Sequence, residues 1–130
     1  MLPVLFFQFA SQHANWLSER QKLVSENIAN ASTPNYRAKD VDSFATIFNQ
    51  SVGMARTHAA HLEGSHSSGL RWNSHVIQAP LDQTIGVQVS GNNVGIANEL
   101  YKSGHIKSEY DLNAKLVKKL NSMMIHVARG

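Results

Sequence analysis

Along both ends of this chain, seam-forming side chains recur at alternating steps of four and three, and that spacing limits its fold more than any other feature. At the N-terminal end the series is Leu2, Phe6, Phe9, His13, Trp16, Arg20, Leu23, Asn27 and Asn30. At the C-terminal end it is Ile96, Leu100, Ser103, Ile106, Tyr110, Asn113, Val117, Leu120, Met124 and Val127. Such steps average close to one helical turn, so each series lines one side of a helix. The first seam grows polar as it proceeds, and Pro34 ends it by removing a donor and pushing Thr33 out of helical geometry. The spacing predicts a helix from about residue 4 to 31. A second long helix follows the turn Gly91-Asn92-Asn93, with Gly104 inside it at a cost of about 1 kcal/mol relative to alanine.

Between these helices the periodicity is lost. Asp42 reads as the N-cap of a short helix from Ser43 to about Gln50, with Phe44 and Phe48 one turn apart, and Gly53 ends it. Residues 57–74 are rich in His, Ser and Gly and read as an exposed excursion. Val76-Ile77 and Ile85-Gly86-Val87-Gln88-Val89 have strand character, and the pattern pairs them as a small β-hairpin across Pro80-Leu81-Asp82-Gln83. The expected fold is mainly α. The terminal helices pair as an antiparallel coiled-coil-like hairpin around a short central helix and a loop-rich middle. Within one structural domain the parts are an N-terminal helix in 1–34, a central region in 35–93 and a C-terminal helix in 94–130. Leu17, Val24, Leu112, Leu116, Met123 and Ile125 lie beside the seams, and this reading gives them to neighbouring molecules.

Composition removes several function classes. With 42% hydrophobic residues the chain is too apolar for disorder throughout, yet no run approaches the roughly 18 apolar residues of a membrane span. The absence of cysteine excludes disulfides, thiolate zinc sites and cysteine nucleophiles. The first ten residues lack the basic start of a secretory leader, so no cleaved signal peptide is expected and any export would use a dedicated apparatus. Twelve Lys and Arg against nine Asp and Glu leave a charge of only +3. Lys115, Lys118, Lys119 and Arg129 fall near a helix C-terminus, where the dipole favours cations without a nucleic-acid partner.

Catalytic constellations are also wanting. His58, His61 and His66 could chelate a metal only if their loop closed around it, and their spacing matches no ligand signature. His13 and His126 lie on or beside the helical seams and read as packing residues. Gly91-Asn92-Asn93-Val94-Gly95 lacks the lysine of a phosphate loop and reads as a helix start. No nucleophile, base and oxyanion site come together, so neither an enzyme nor a cofactor, metal or small-molecule substrate is expected.

The informative segment runs from Asn27 to Asp40. Asn27 and Asn30 put amides into the seam, where they fix register, and Ala29 and Ala31 keep the helix end slim. Thr33-Pro34 stops the helix, Asn35 suits a left-handed turn, and the Tyr36 ring can anchor the outgoing chain. This stretch, Asn27-Ile28-Ala29-Asn30-Ala31-Ser32-Thr33-Pro34-Asn35-Tyr36-Arg37-Ala38-Lys39-Asp40, resembles the signature of bacterial flagellar basal-body rod proteins. Val41-Asp42-Ser43-Phe44, Gly91-Asn92-Asn93-Val94 and the segment from Glu99 to Lys118 are similar to the B type of proximal-rod subunit. The compact Thr-Pro-x-Tyr region favours it over the neighbouring C type. Asn35 departs from the family's usual glycine.

The resemblance implies a structural subunit exported unfolded through the flagellar type III apparatus and polymerised into a helical tube. Its implied partners are other copies of itself, neighbouring rod subunits, the basal-body adaptor and membrane ring, and the export gate. It places the protein in the basal-body rod on the periplasmic side. The two terminal helices would form the inner tube wall, with Phe6, Phe9, Trp16, Leu23, Ile96, Leu100, Ile106, Tyr110, Val117, Leu120, Met124 and Val127 as the assembly seam. Residues 57–75 would face outward or touch another subunit. Phe44 and Phe48 have the Phe-x-x-x-hydrophobic form of an export-gate motif. The rival classes are a small basic nucleic-acid-binding protein and a metal-dependent enzyme.

Overall fold

The computed structural model describes residues 2–51, 75–81, 83 and 85–130. Its elements in chain order are α1 (Leu2–Ala29), β1 (Lys39–Val41), α2 (Phe44–Ser51), β2 (Val76–Gln78) and α3 (Ile96–Arg129). The two long helices pack against each other and run antiparallel. Asn27 meets Glu99 at one end, Gln21 meets Ser103 further along, and the Asn113 amide donates to the Ala10 carbonyl toward the other end (2.8 Å). The His58, His61 and His66 loop lies outside the described residues. Among the described residues no three metal-ligating side chains converge and no helix is long and apolar enough to cross a membrane.

α1 works on two sides. The expected seam through His13, Trp16, Arg20, Leu23 and Asn27 faces the returning chain: Trp16 Nε1 donates to the Asp42 carbonyl at 2.8 Å, and Arg20 grips Asp40. Another stripe, Ala10, Ala14, Leu17, Gln21 and Val24, has the same steps of three and four but sits one position, about 100°, round the helix. It carries the most deeply buried apolar residues of the helix, Leu17 at 0% and Val24 at 1% exposure. The expectation that these two await neighbouring molecules is therefore corrected. α1 is sandwiched between α3 and the segment 36–48, so both stripes are buried within one chain. The core joins Trp16, Leu17, Leu23, Val24, Val41, Ile47 and Ile106.

The sheet differs from the expected hairpin. Val76-Ile77 is a strand, but it pairs antiparallel with β1, in the register Lys39↔Gln78, Asp40↔Ile77 and Val41↔Val76. Ala79 N–H to the Ala38 carbonyl (2.9 Å) and Asp42 N–H to the His75 carbonyl (3.1 Å) extend the ladder. Residues 85–89 form no strand. Gly86 adopts φ +63°, and Gln88 turns back to the Asn92 carbonyl (2.8 Å) and to Gly91 N–H (2.8 Å), so the run folds onto itself instead of extending. The cap of α2 also moves by one residue. Ser43, not Asp42, caps it, its Oγ accepting from Thr46 N–H at 3.3 Å.

Along α3 the expected seam is only partly covered. Ile106 is buried; Val117, Leu120 and Met124 are half-buried; Ile96, Leu100, Tyr110 and Val127 are exposed. The side chain that meets α1 at the start of α3 is instead the buried Glu99. With Asn27 opposite Glu99 and Ala10 opposite Asn113, Leu2 falls near residue 121. The last eight residues of α3, 122–129, thus run past the end of α1 by about 12 Å at 1.5 Å per residue.

Candidate functional site

The end of α1 and the start of α3 are joined by buried asparagines. Asn27 is fully buried, and every hydrogen-bonding position of its amide is occupied. Its Nδ2 donates to the Lys39 carbonyl (2.7 Å) and to Glu99 Oε2 (3.1 Å); its Oδ1 accepts from Lys39 N–H (2.9 Å) and from the Tyr36 hydroxyl (3.2 Å). The side chain thus stands in for a strand neighbour of Lys39 while holding α3 by a charge-assisted bond. Asn30 stays local, binding the Glu26 carbonyl (2.8 Å) and accepting from the Thr33 hydroxyl (3.1 Å). It does not cross to α3, so the register role expected of both asparagines falls to Asn27.

A second buried amide completes the junction. Asn92, also 0% exposed, donates to the carbonyls of Asn30 (2.9 Å) and Thr33 (2.8 Å), adding to the turn bonds these accept from Thr33 N–H and Tyr36 N–H, and accepts from Val94 N–H (2.7 Å). Asn93 Oδ1 accepts from Ala38 N–H (2.7 Å). Asn35 takes φ +60°, as its place after Pro34 suggests, and its N–H donates to the Ser90 carbonyl (2.9 Å). Gly91 (φ +79°) lies against the Asn35 side chain so closely that a Cβ there would collide with it.

An ionic chain runs beside the junction. Arg20 Nε and Nη2 hold the two oxygens of Asp40 at 3.0 and 3.3 Å; Lys102 Nζ reaches Asp40 at 3.5 Å and Glu99 at 2.9 Å. Burial pushes the Asp40 carboxyl up. The Arg20 hydrogen bonds, the Val41 N–H and the charges of Arg20 and Lys102 outweigh it and hold the group below its ordinary range. α1, β1 and α3 are therefore tied by one network of amides and charges.

Toward the open end the contacts become aromatic. His13 stacks with Trp16 (5.8 Å between centroids) and Phe9 (6.4 Å), and meets Phe44 edge-on at 4.8 Å. Phe44 and Phe48 both lie 5.2 Å from Phe9, so the pair that suggests an export motif packs α2 onto α1 in the folded chain. Desolvation lowers the His13 pKa, and Glu109 at 4.0 Å pulls it only part of the way back. Beyond this cluster Val4, Leu5, Leu112, Leu116, Met123, Ile125 and Val127 are exposed.

Asn92 and Glu99 are the junction residues that no periodicity signals, since each lies off the apolar series. The adjacent asparagines ahead of a helix were the available sign. No family model matches the chain. It is similar to the flagellar basal body rod protein FlgB of Agrobacterium fabrum, 49% identical over 128 residues that cover 96% of this chain and 93% of that protein. It is also similar to the proteins of the same name from Yersinia enterocolitica (27% identical, 95% of this chain and 93% of that one) and Buchnera aphidicola (26%, 95% and 94%).

Proposed function

Since the chain belongs to the family of flagellar basal body rod protein FlgB, a structural subunit of the rod that associates with other rod components, we propose that it builds a helical tube by burying between subunits the apolar surface its own fold leaves in water. The observation that carries this reading is the open half of the helix pair. Leu112 is 58% and Val127 83% exposed, and Leu116 and Met123 share their side of α3. A contiguous apolar surface of this kind on a small chain marks a protein contact. The junction of Asn27 and Asn92 would hold the two helices in register while neighbouring helices extend them into coiled-coil contacts and the inner tube wall.

Other copies, adjacent rod subunits, the adaptor and membrane ring are the partners this reading names, with catalysis playing no part. It places the subunit on the periplasmic side. Export through the type III gate would precede folding, so Phe44 and Phe48 would be read before Phe9 covers them. Secretion of a Phe44→Ala, Phe48→Ala chain at the normal level would remove that role.

The test of assembly is Leu112→Asp with Leu116→Asp. Both sites are exposed, so the variant keeps the helicity of the isolated chain by circular dichroism, while incorporation into basal bodies and motility are lost. Full motility with normal incorporation would overturn the reading.

A further inference from the structure

α1 and α3 are covered on one flank by β1 and α2 and, among the described residues, open on the other. There, two hollows of about 440 and 490 Å³ run into one another at Tyr110, making a groove along both helices. Its α1 wall carries the small side chains Ala10, Ser11, Ala14 and Ser18, with Phe7 toward one end and Leu17 and Gln21 toward the other. Its α3 rim carries two lysines, Lys107 and Lys118, that form no ion pair among the described residues. From Ser103 to Asn121 the groove is about 27 Å long at 1.5 Å per residue.

The face of α1 turned away from α3 has the matching character. Val4, Gln8, Gln12, Asn15 and Glu19 follow one another at steps of four, four, three and four, about 22 Å from end to end. No charged side chain occurs anywhere in residues 1–18, and Glu19, which ends the stripe, has no ion pair among the described residues. A helix of apolar and amide side chains enters a groove without stranding a buried charge, and one carboxylate at its end answers a lysine at the rim.

Resting on the reading of the chain as a self-assembling rod subunit, we propose that this groove receives the outer face of α1 from a second copy, with Glu19 of that copy against one of the two rim lysines, Lys107 or Lys118, which stand about 16 Å apart along α3. Donor stripe and acceptor groove are different patches of one chain, so the contact is heterologous. Repeated, it produces an open helical array rather than a closed dimer.

Natural absence of cysteine makes the test direct. Cells co-express two distinguishably tagged full-length chains, one with Ala114→Cys in the groove, the other with Gln8→Cys, Gln12→Cys or Asn15→Cys in turn, and isolated basal bodies are oxidised. The expected result is a mixed cross-link with at least one donor position. Glu19→Lys in the donor chain removes it, and Lys107→Glu with Lys118→Glu in the acceptor chain restores it. Both chains present in basal bodies with no mixed cross-link at any donor position overturns this inference alone. Absence of the cysteine-free tagged chain from basal bodies overturns the rod reading beneath it.

Discussion

At the scale of single residues, Asn27 concentrates more of the fold than any hydrophobic side chain. Replacing it with alanine leaves the Lys39 N–H and carbonyl, the Tyr36 hydroxyl and one Glu99 oxygen without their partner, all in or beside the core. Each buried polar group so stranded costs about 1–3 kcal/mol, partly relieved by water, so Asn27→Ala should lower unfolding stability by about 2–4 kcal/mol in urea denaturation. His13 gives a pH signature. Burial depresses its pKa below the ordinary 6.5, so its neutral form is the one the fold holds. That contribution is complete above pH 6.5 and is lost as pH falls through the lowered value, because the unfolded chain takes up the proton first. Thermal unfolding of His13→Gln should accordingly show a weaker loss of stability between pH 7 and 5 than the parent chain. The sequence made Asn27 visible as an amide in an apolar seam. Asn92 was legible only as part of a turn ahead of a helix, because its partners are the Asn30 and Thr33 carbonyls far along the chain.

At the scale of elements, the helices were legible because their periodicity is long, and the sheet was not. Val76-Ile77 looks equally ready to pair with either neighbour. What decides is geometry far from it: Asn27 and Trp16 pin residues 39–42 along α1, which presents a ready edge to β2. The second stripe of α1 escaped for a related reason. Ala10, Ala14 and Gln21 are not conspicuous apolar residues, yet α3 reaches this stripe at the Ala10 carbonyl and at Gln21, and Leu17 and Val24 are buried along it. The turn before α3 is similarly exacting. Gly91→Ala would place a Cβ against Asn35 at a backbone angle that L-residues avoid, costing about 1–3 kcal/mol. The expected readout is a lower urea midpoint with an unchanged m-value, whereas Gly104→Ala, in open space on the same helix, should be neutral or mildly stabilising.

At the scale of the whole molecule, order is distributed unevenly from one end to the other. Amides and ion pairs close the junction, aromatic rings fill the middle, and among the described residues α3 continues alone past α1. Hydrogen exchange should follow this gradient: slow around Asn27 and Leu17 in the isolated chain, fast over residues 122–129, and slow in both once rods form. Rapid exchange of 122–129 within assembled rods would contradict their burial there. The apolar spacing that identifies both long helices is silent on this asymmetry, since it continues to Val127 whether or not anything covers it. A pair of rods riveted at one tip and held elsewhere by looser fittings can splay at small cost. A tilt of about 0.1 radian carried over the 25 residues from Asn27 to Leu2 at 1.5 Å each moves the far tip by about 4 Å. In the tube proposed above, the Asn27–Glu99 rivet would let one polypeptide adopt slightly different opening angles at successive places without any change of sequence.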